Sequence, residues 1–174
     1  MTTAMPTIKE LVVPLEQFPH LGSEESVHEA VAQLFSHTAN GSGKLMFDEL
    51  IVINAESQYV GRLTIQGILT CFFPTLFDGN DKKVFAGMSE KYTDLAILLE
   101  DSFQVECRRQ GALPVSQFMV PPHKSIKADM HPLHAAEIMM EENETCLPVV
   151  EDSSLIGVVR LIDIFRVLAS SCAL

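Results

Sequence analysis

The sequence is poor in basic residues, and this shortage limits the partners that the chain can bind. Twelve Lys and Arg stand against 23 Asp and Glu, which gives a formal net charge of −11. Such a charge repels phosphate backbones and anionic lipid heads, so binding to nucleic acid or membranes by general electrostatics is not expected. A small anionic ligand held by one local basic group stays compatible with this charge.

The chain also lacks paired cysteines and long apolar runs. Its four cysteines, Cys71, Cys107, Cys146 and Cys172, lie far apart and show no CxxC spacing. No apolar run reaches the roughly 18 residues that span a bilayer. Residues 1–9 show no basic patch followed by an apolar stretch, as a secretory signal would. We therefore expect reduced core thiols in a cytoplasmic protein.

No group of residues has the spacing of a catalytic site. Isolated Cys, Ser and His residues show no nucleophile–base pairing. Asp129, His131, His134 and Glu137 are spaced to share one helix face near its start and would suit a metal ion. Acidic and histidine side chains are also common at helix starts without any metal. The sequence predicts a protein that is not an enzyme, with an enzyme built on this cluster as a remaining alternative.

One stretch of the chain occurs twice. The first copy runs from Leu50 to Leu69 and the second from Cys146 to Phe165. When Gly61 is placed on Gly157, an offset of 96 residues (157 − 61 = 96), every apolar block coincides without a gap. A repeated unit usually buries its face against its copy. Two copies therefore predict one pseudo-symmetric pair and not an open solenoid.

Both copies are predicted to contain a helix, a strand, a turn, a strand and a second helix, in that order. Apolar residues at three- and four-residue spacing indicate the helices, and short apolar runs indicate the strands. The predicted elements of the first copy are a helix at Ser26–His37, strands at Leu50–Asn54 and Tyr59–Thr64, and a helix at Ile65–Phe72. Those of the second copy are a helix from Asp129 or Pro132 to Glu142, strands at Leu147–Val150 and Leu155–Arg160, and a helix at Leu161–Ala169.

The copies differ in the loop between the first helix and the first strand. His28 matches His134 at an offset of 106 residues (134 − 28 = 106), and not 96. About ten residues around Asn40 to Glu49 therefore look like an insertion in the first copy. A Pro/Gly/Asn/Asp-rich connection follows the first copy at Phe73–Asp81.

A long helix is predicted between the copies, at Val84–Gln110, with Gly111 as its C-terminal stop. Its apolar stripe would pack on the core or would also supply a dimer surface, and we favour the core. The chain is accordingly divided into a first repeat at 7–72, a linker and connecting helix at 73–113, and a second repeat at 114–170. Together these segments are expected to form one module.

The repeat resembles the CBS domain, and two copies in tandem resemble a CBS pair (Bateman module). In the second copy, Leu147-Pro148-Val149-Val150, Asp152, Leu155-Ile156-Gly157-Val158-Val159 and Asp163-Ile164 are similar to the family's "lPVvd…lvGivt..Di" pattern. Phe118-Met119 resembles the segment that precedes the family's repeat, and Ala30 and Ala136 its helix alanine. The resemblance covers about Thr7 to Ala169 apart from the connecting helix. It implies an α+β fold of tandem β-α-β-β-α repeats packed with pseudo-twofold symmetry.

The resemblance also implies where a ligand would bind. In CBS pairs, clefts between the repeats bind adenosyl compounds such as AMP, ADP, ATP or S-adenosylmethionine. An Asp six residues after the strand Gly binds the ribose, and a Ser or Thr at the third position contacts ribose or phosphate. The implied ligand-binding residues are Asp163, Arg160, Gly157 and Pro148 in the second copy and Thr64 and Gly61 in the first.

Each copy holds half of that pattern. The first copy has Thr64 but Gly67 in the acid position, and the second has Asp163 but Arg160 at the Ser/Thr position. Arg160 would hold a phosphate bidentately, so the second copy is expected to bind better. The alternative interpretation is that Asp163 caps or starts the last helix and Arg160 pairs with a surface acid.

The resemblance implies a regulatory sensor that passes ligand occupancy to an unknown effector protein or to its own dimer. CBS pairs commonly form homodimers, which we expect here as well. The alternative is a dimerisation or interaction module whose nucleotide sites are degenerate. No cofactor is expected to be required.

Overall fold

The computed structural model describes residues 6–39, 43–74, 103–122 and 124–172, which form two β-sheets flanked by helices. The elements in chain order are β1 (Val13–Pro14), β2 (His20–Gly22), α1 (Val27–Ser36), β3 (Glu49–Ile53), β4 (Tyr59–Thr64), α2 (Ile65–Phe72), α3 (residues 103–111), β5 (Ile126–Lys127), α4 (Pro132–Glu142), β6 (Cys146–Glu151), β7 (Ser154–Arg160) and α5 (Leu161–Ser171). No helix in these ranges is long and apolar enough to cross a bilayer.

Local sequence signals account for the helix ends. Ser26 caps α1, accepting a hydrogen bond from the Glu29 amide while the Glu29 carboxylate accepts one from the Ser26 amide. Pro132 occupies the first turn of α4. Proline has no amide hydrogen, but an amide in the first turn has no intrahelical partner, so no hydrogen bond is lost. Asn143 ends α4 in the left-handed conformation at φ 55°. The predicted helices in both repeats agree with these elements to within a few residues.

The two sheets are built in the same way from the two repeats. One sheet has the order β2-β3-β4, and the other the order β1-β7-β6-β5. In each, a parallel edge strand precedes an antiparallel hairpin: β2 lies beside β3, and β5 beside β6. Strand β2 was not predicted, since its three residues lie in a segment that reads as a Pro/Gly loop. A strand this short is stable only when it is paired with a neighbour, and it has too few residues to show an alternation of apolar and polar side chains.

The N-terminal segments of the two repeats are exchanged between the sheets. Strand β1 pairs with β7 of the second repeat, with Val13 opposite Val158. Reciprocally, Val120 bridges to Arg62 on β4 of the first repeat. Ile8 is fully buried in the core of the second repeat, and Val115 is fully buried in that of the first. The repeats are thus interlocked and do not merely touch.

The two glycines that align the repeats lie beneath these exchanged segments. A Cβ on Gly61 would stand 2.6 Å from the Val120 carbonyl oxygen, and one on Gly157 would stand 2.2 Å from the Val13 carbonyl oxygen. Neither backbone oxygen can move without breaking its pairing. Each glycine is therefore required by the close approach of another strand.

Most of the predicted connecting helix, and most of its apolar stripe, lies outside the described residues. Residues 103–111 are helical, and Phe103 stacks on Phe73 with ring centroids 5.1 Å apart. The helix ends at Gly111, as predicted, but this glycine does not have the left-handed conformation of a helix cap, and the close approach of His28 accounts for it. A Cβ there would stand 2.2 Å from the His28 Nε2 atom, which itself contacts the Cys107 carbonyl oxygen at 3.0 Å.

The four cysteines are all free, but they are not all in the core. Cys71 is buried, Cys107 and Cys146 are half-buried, and Cys172 is exposed. Core placement was therefore wrong for Cys172, which lies just beyond the C-terminal end of α5.

Candidate functional site

A cavity of about 730 Å³ lies between the two repeats. Equivalent positions of the repeats meet there: Ile65 begins α2, Leu161 begins α5, and both line it (161 − 65 = 96). Met140, Cys146, Ile162 and Phe165 extend its apolar wall on the side of the second repeat, and Asp48, Thr145 and Arg160 are its polar lining. The cavity is therefore mainly apolar with a few polar groups, the usual composition of a small-ligand site.

The insertion of the first repeat forms one wall of this cavity. Residues 45–48, which belong to it, line the cavity. Phe47 is buried against Phe18, with ring centroids 4.7 Å apart, and meets the His37 ring edge-on at 5.7 Å. These ring contacts hold Phe47 in place. Residues 40–42 of the insertion lie outside the described part of the chain.

Arg160 and Asp163, the two predicted residues of the second copy, bind each other. Arg160 Nε donates to Asp163 Oδ2 at 2.6 Å, and Nη2 donates to Oδ1 at 3.1 Å. Their side chains are 25% and 13% exposed. Arg160 is the residue before α5, so Asp163 lies in the first turn, where the helix dipole favours a carboxylate. The alternative interpretation gave Arg160 a surface acid as its partner, and the acid that it binds is Asp163.

Arg160 is the predicted ligand residue that lines the cavity. Its guanidinium carbon also lies 5.5 Å from the centroid of the Phe47 ring, within the range of a cation–π contact. Pro148 is buried in β6 opposite Val158, and Gly157 lies under β1. Arg160 is therefore in the lining, whereas Asp163, Pro148 and Gly157 are not, and Asp163 is linked to the cavity through its pair with Arg160.

Thr64 and Gly61, the predicted residues of the first copy, have structural contacts. The Thr64 hydroxyl accepts a hydrogen bond from the Gly67 amide at 3.1 Å and caps α2. Gly67 stands where the family pattern has its acid, and a Cβ there would be 3.2 Å from the Phe118 carbonyl oxygen. Neither Thr64 nor Gly61 is in the cavity lining.

A buried ionic cluster beside the cavity escaped the sequence analysis. Arg62 of β4 binds Glu49 of β3, with Nη1 3.0 Å from Oε2, and the same Nη1 contacts a carboxylate oxygen of Glu144. Both glutamates are almost fully buried. Glu144 belongs to the second repeat, so this cluster links the repeats. The only available sequence signal was Glu49 at the start of an apolar strand.

The environment of the cluster disfavours negative charge. Burial raises the pKa of the Glu49 carboxyl, as do the nearby Asp48 and Glu144, while a hydrogen bond from Cys146 and the charge of Arg62 lower it. Burial also raises the pKa of the Cys146 thiol well above its ordinary range, and Glu49 and Asp48 add to this increase. Cys146 therefore stays a neutral thiol at the cavity wall.

The metal interpretation of the second repeat gains no support. Across the described ranges, no three His, Cys, Asp or Glu side chains are arranged to hold a metal ion. His131 instead caps α4, its Nδ1 accepting a hydrogen bond from the Leu133 amide at 3.2 Å.

Comparison with family models gives a match in the second repeat. Residues 115–170 match the family model of the CBS domain. No curated protein sequence was matched.

Solved structures of CBS proteins share the fold over nearly the whole chain. A CBS domain-containing protein of unknown function from Kribbella flavida superposes with a TM-score of 0.69 at 18% identity, covering 94% of this chain and 98% of its own. CBSX2, a CBS-pair protein from Arabidopsis thaliana, gives 0.64 at 18%, covering 97% and 98%. The CBS domain of a bacterial CNNM/CorC family Mg²⁺ transporter, solved in complex with ATP, gives 0.60 at 14%, covering 94% and 87%. These likenesses confirm the predicted α+β fold of tandem repeats.

Proposed function

The chain has a CBS domain in its second repeat and the fold of a CBS pair throughout, and we propose that it senses a small adenosyl ligand. The ligand would be an adenine nucleotide or a related adenosyl metabolite, bound in the cavity between the repeats. CBSX2 has been solved in complex with AMP, and the transporter domain in complex with ATP. The CBS pair is a regulatory module, so occupancy of the cavity would be the signal.

The observation that carries this proposal is the Arg160–Asp163 pair at the edge of an apolar cavity. A cavity of about 730 Å³ is within the common range for small-molecule sites, roughly 300–1,000 Å³. Its apolar walls would receive the adenine ring. Asp163 would accept hydrogen bonds from the ribose hydroxyls, and its carboxylate would then be shared between the ribose and Arg160.

Ligand titration tests this proposal. AMP, ADP, ATP and S-adenosylmethionine are each added to the purified protein, and the melting temperature is measured. At least one should raise the melting temperature through preferential binding to the folded state. Asp163→Ala should weaken the binding of that ligand by about 10- to 150-fold, because a hydrogen bond to a charged group contributes this much to affinity. The exposed Asp129 provides the control, since Asp129→Ala should leave the shift unchanged.

The absence of any shift at millimolar ligand would contradict the proposal. So would a shift that survives Asp163→Ala unchanged. Because Asp163→Ala also frees Arg160, Arg160→Gln is measured in parallel to separate loss of the ribose contact from loss of the ion pair.

We propose that the module acts as a homodimer. The helices expose large apolar side chains outside the cavity lining, which a partner copy would cover: Phe35, Leu69 and Leu133. Sedimentation velocity across micromolar concentrations should give a dimer mass. A monomer at every concentration would exclude this arrangement, and an effector protein would then be the remaining partner.

A ligand-free interaction module is the second candidate function. Arg160 and Asp163 pair with each other, and Gly67 replaces the acid in the first copy, so neither nucleotide pattern keeps an uncommitted carboxylate for a ribose. A dimer in crosslinking and sizing experiments, combined with flat titrations, would favour this function over the sensor.

We also propose limits and a general character for the module. The protein is taken to be a non-enzymatic, cytoplasmic module that requires no cofactor. Its proposed limits are a first repeat at 7–72, a linker with the connecting helix at 73–113 and a second repeat at 114–170.

A further inference from the structure

Two of the four cysteines lie on helices that pack against each other at the end of the first repeat. Helix α2 carries Cys71, and helix α3 carries Cys107. Both are free thiols, Cys71 only 1% exposed and Cys107 half-buried. Neither lines the cavity between the repeats, so the proposed function gives these two thiols no role.

Two contacts join the C-terminal end of α2 to α3. The Phe73 ring stacks on the Phe103 ring, with centroids 5.1 Å apart, and the Cys71 thiol donates to the Gln110 carbonyl oxygen at 3.5 Å. Cys107 follows Phe103 by four residues and precedes Gln110 by three. Because residues at these spacings share one helix face, Cys107 lies on the face of α3 that contacts α2.

The exposure of α3 supports this orientation. Cys107 and Gln110 are half-buried and Gly111 is buried, whereas residues 104, 105, 108 and 109 are exposed. His28 of α1 packs on the same face, since its Nε2 atom contacts the Cys107 carbonyl oxygen at 3.0 Å and its ring lies over Gly111. Cys107 therefore faces the first repeat, one helical turn from the carbonyl group that the Cys71 thiol contacts.

The packing of the two helices is close enough for a covalent link. A disulfide needs Cα atoms about 4.4–6.8 Å apart, and facing positions of two packed helices commonly have a separation near this range. The Cys71 side chain is short and already touches the backbone of α3. A change of the Cys71 rotamer, away from Gln110 and toward Cys107, would bring the two sulfurs together.

We propose that Cys71 and Cys107 form a reversible disulfide that links α3 to α2 under oxidising conditions. The oxidant is a small disulfide such as oxidised glutathione. In reducing compartments, the few protein disulfides that form are usually transient and serve in catalysis or redox sensing. This site is separate from the cavity and needs no ligand there.

The chemistry is a double thiol–disulfide exchange. The more exposed Cys107 thiolate attacks one sulfur of the small disulfide, forms a mixed disulfide and releases one small thiolate. The Cys71 thiolate then attacks the Cys107 sulfur, the bond to the small thiol breaks, and a second small thiolate leaves. Each cysteine loses one proton and each leaving thiolate gains one, so two cysteine thiols are oxidised while one small disulfide is reduced to two thiols.

The second exchange is expected to be the slower step. Burial raises the pKa of both thiols, and it raises that of Cys71 to about 11. Since only the thiolate attacks, the mixed disulfide on Cys107 should accumulate before the internal disulfide forms.

The experiment maps disulfides in the folded, full-length protein. Dilute protein is incubated with oxidised glutathione at pH 8, digested without reduction and mapped by mass spectrometry. We expect a Cys71–Cys107 cross-linked peptide that dithiothreitol removes. The bond closes a loop of 36 residues (107 − 71 = 36), so the melting temperature of the cross-linked protein should rise by about 5–10 °C.

Single substitutions separate the two steps. Cys71→Ala should stop the reaction after the first exchange, which leaves glutathione on Cys107 and no rise in melting temperature. Cys107→Ser should leave the buried Cys71 unmodified, again without a rise. Cys172→Ser is the matched control, because it removes an exposed cysteine and should keep both the cross-link and the rise.

Three results would overturn the proposal. One is glutathione that stays on Cys107 of the wild type without any cross-link to Cys71. Another is modification confined to Cys172. The third is linkage of Cys71 to Cys146 or Cys172 in amounts similar to the Cys71–Cys107 link, which would indicate exchange in unfolded chains. None of these results involves an adenosyl ligand, so the proposed function is tested independently.

Discussion

Val120 and Arg62 are joined by two backbone hydrogen bonds, although they belong to segments on either side of the connecting helix. The Arg62 amide donates to the Val120 carbonyl at 3.1 Å, and the Val120 amide donates to the Arg62 carbonyl at 2.8 Å. Val13 and Val158 form the equivalent pair in the other sheet. This reciprocal exchange makes each sheet depend on a segment from the opposite repeat, so the two cores are expected to unfold together.

Substitution of the glycines beneath the exchanged segments tests this interlocking. In Gly61→Ala and Gly157→Ala, the new Cβ would meet the carbonyl oxygens of Val120 and Val13, respectively. We expect each to lower the free energy of unfolding by about 1–3 kcal/mol, measured by urea denaturation, because a backbone oxygen must be displaced. Gly22→Ala is the control, since its Cβ would meet only the flexible Glu25 side chain. An unchanged urea midpoint in both variants would contradict the exchange.

Removal of Arg62 should destabilise the protein in a pH-dependent way. Arg62→Met leaves Glu49 and Glu144 buried without their cation, at an expected cost of about 3–5 kcal/mol at neutral pH. Arg109→Met is the matched control, because its partner Glu106 lies on an exposed helical turn where a pair contributes less than about 1 kcal/mol.

The direction of the pH effect follows from Glu49. Its pKa is raised in the folded protein, so the folded state binds this proton more tightly than the unfolded chain does. The stability gained from protonation is present below the ordinary pKa and is lost as the pH rises through the folded pKa. The deficit of Arg62→Met should therefore shrink as the pH falls from 7 toward 5. A deficit that is constant across this interval would mean that the carboxylates are not the cause.

The Thr64 hydroxyl should contribute to stability as a helix cap, independently of any ligand. Its hydroxyl caps α2 through the Gly67 amide. Thr64→Ala should lower the free energy of unfolding by about 1 kcal/mol, whereas Thr64→Ser, which keeps the oxygen, should stay close to wild type. Thermal melts without ligand measure this difference. If both variants match the wild type, the cap is not a source of stability.

The cysteines should differ sharply in their rates of alkylation. Only the thiolate reacts, and burial raises the pKa of Cys71 to about 11. At pH 8 roughly a thousandth of the Cys71 side chains would be ionised. Exposed Cys172 should react with iodoacetamide first, with Cys71 and Cys146 last, as followed by peptide mass spectrometry. In urea all four should react at similar rates, which controls for intrinsic reactivity.

The local sequence pattern was sufficient to predict the helices and strand hairpins of both repeats. Apolar spacing, the Ser26 cap, Pro132 and the strand glycines placed the helices and hairpins of both repeats close to their observed bounds. These signals act within a few residues along the chain, and the offset of 96 residues exposed the symmetry. The strand β2 has too few residues to show such a pattern.

The tertiary structure alone decided which polar groups meet. The sequence by itself determined that two copies of one α+β unit face each other and that Asp163 and Arg160 follow Gly157. It did not determine that these two side chains pair, that Arg62 holds carboxylates from both repeats, or that the insertion lines the cavity. Those contacts depend on how distant segments are brought together, because charge partners are chosen by distance and burial in space and not by spacing along the chain.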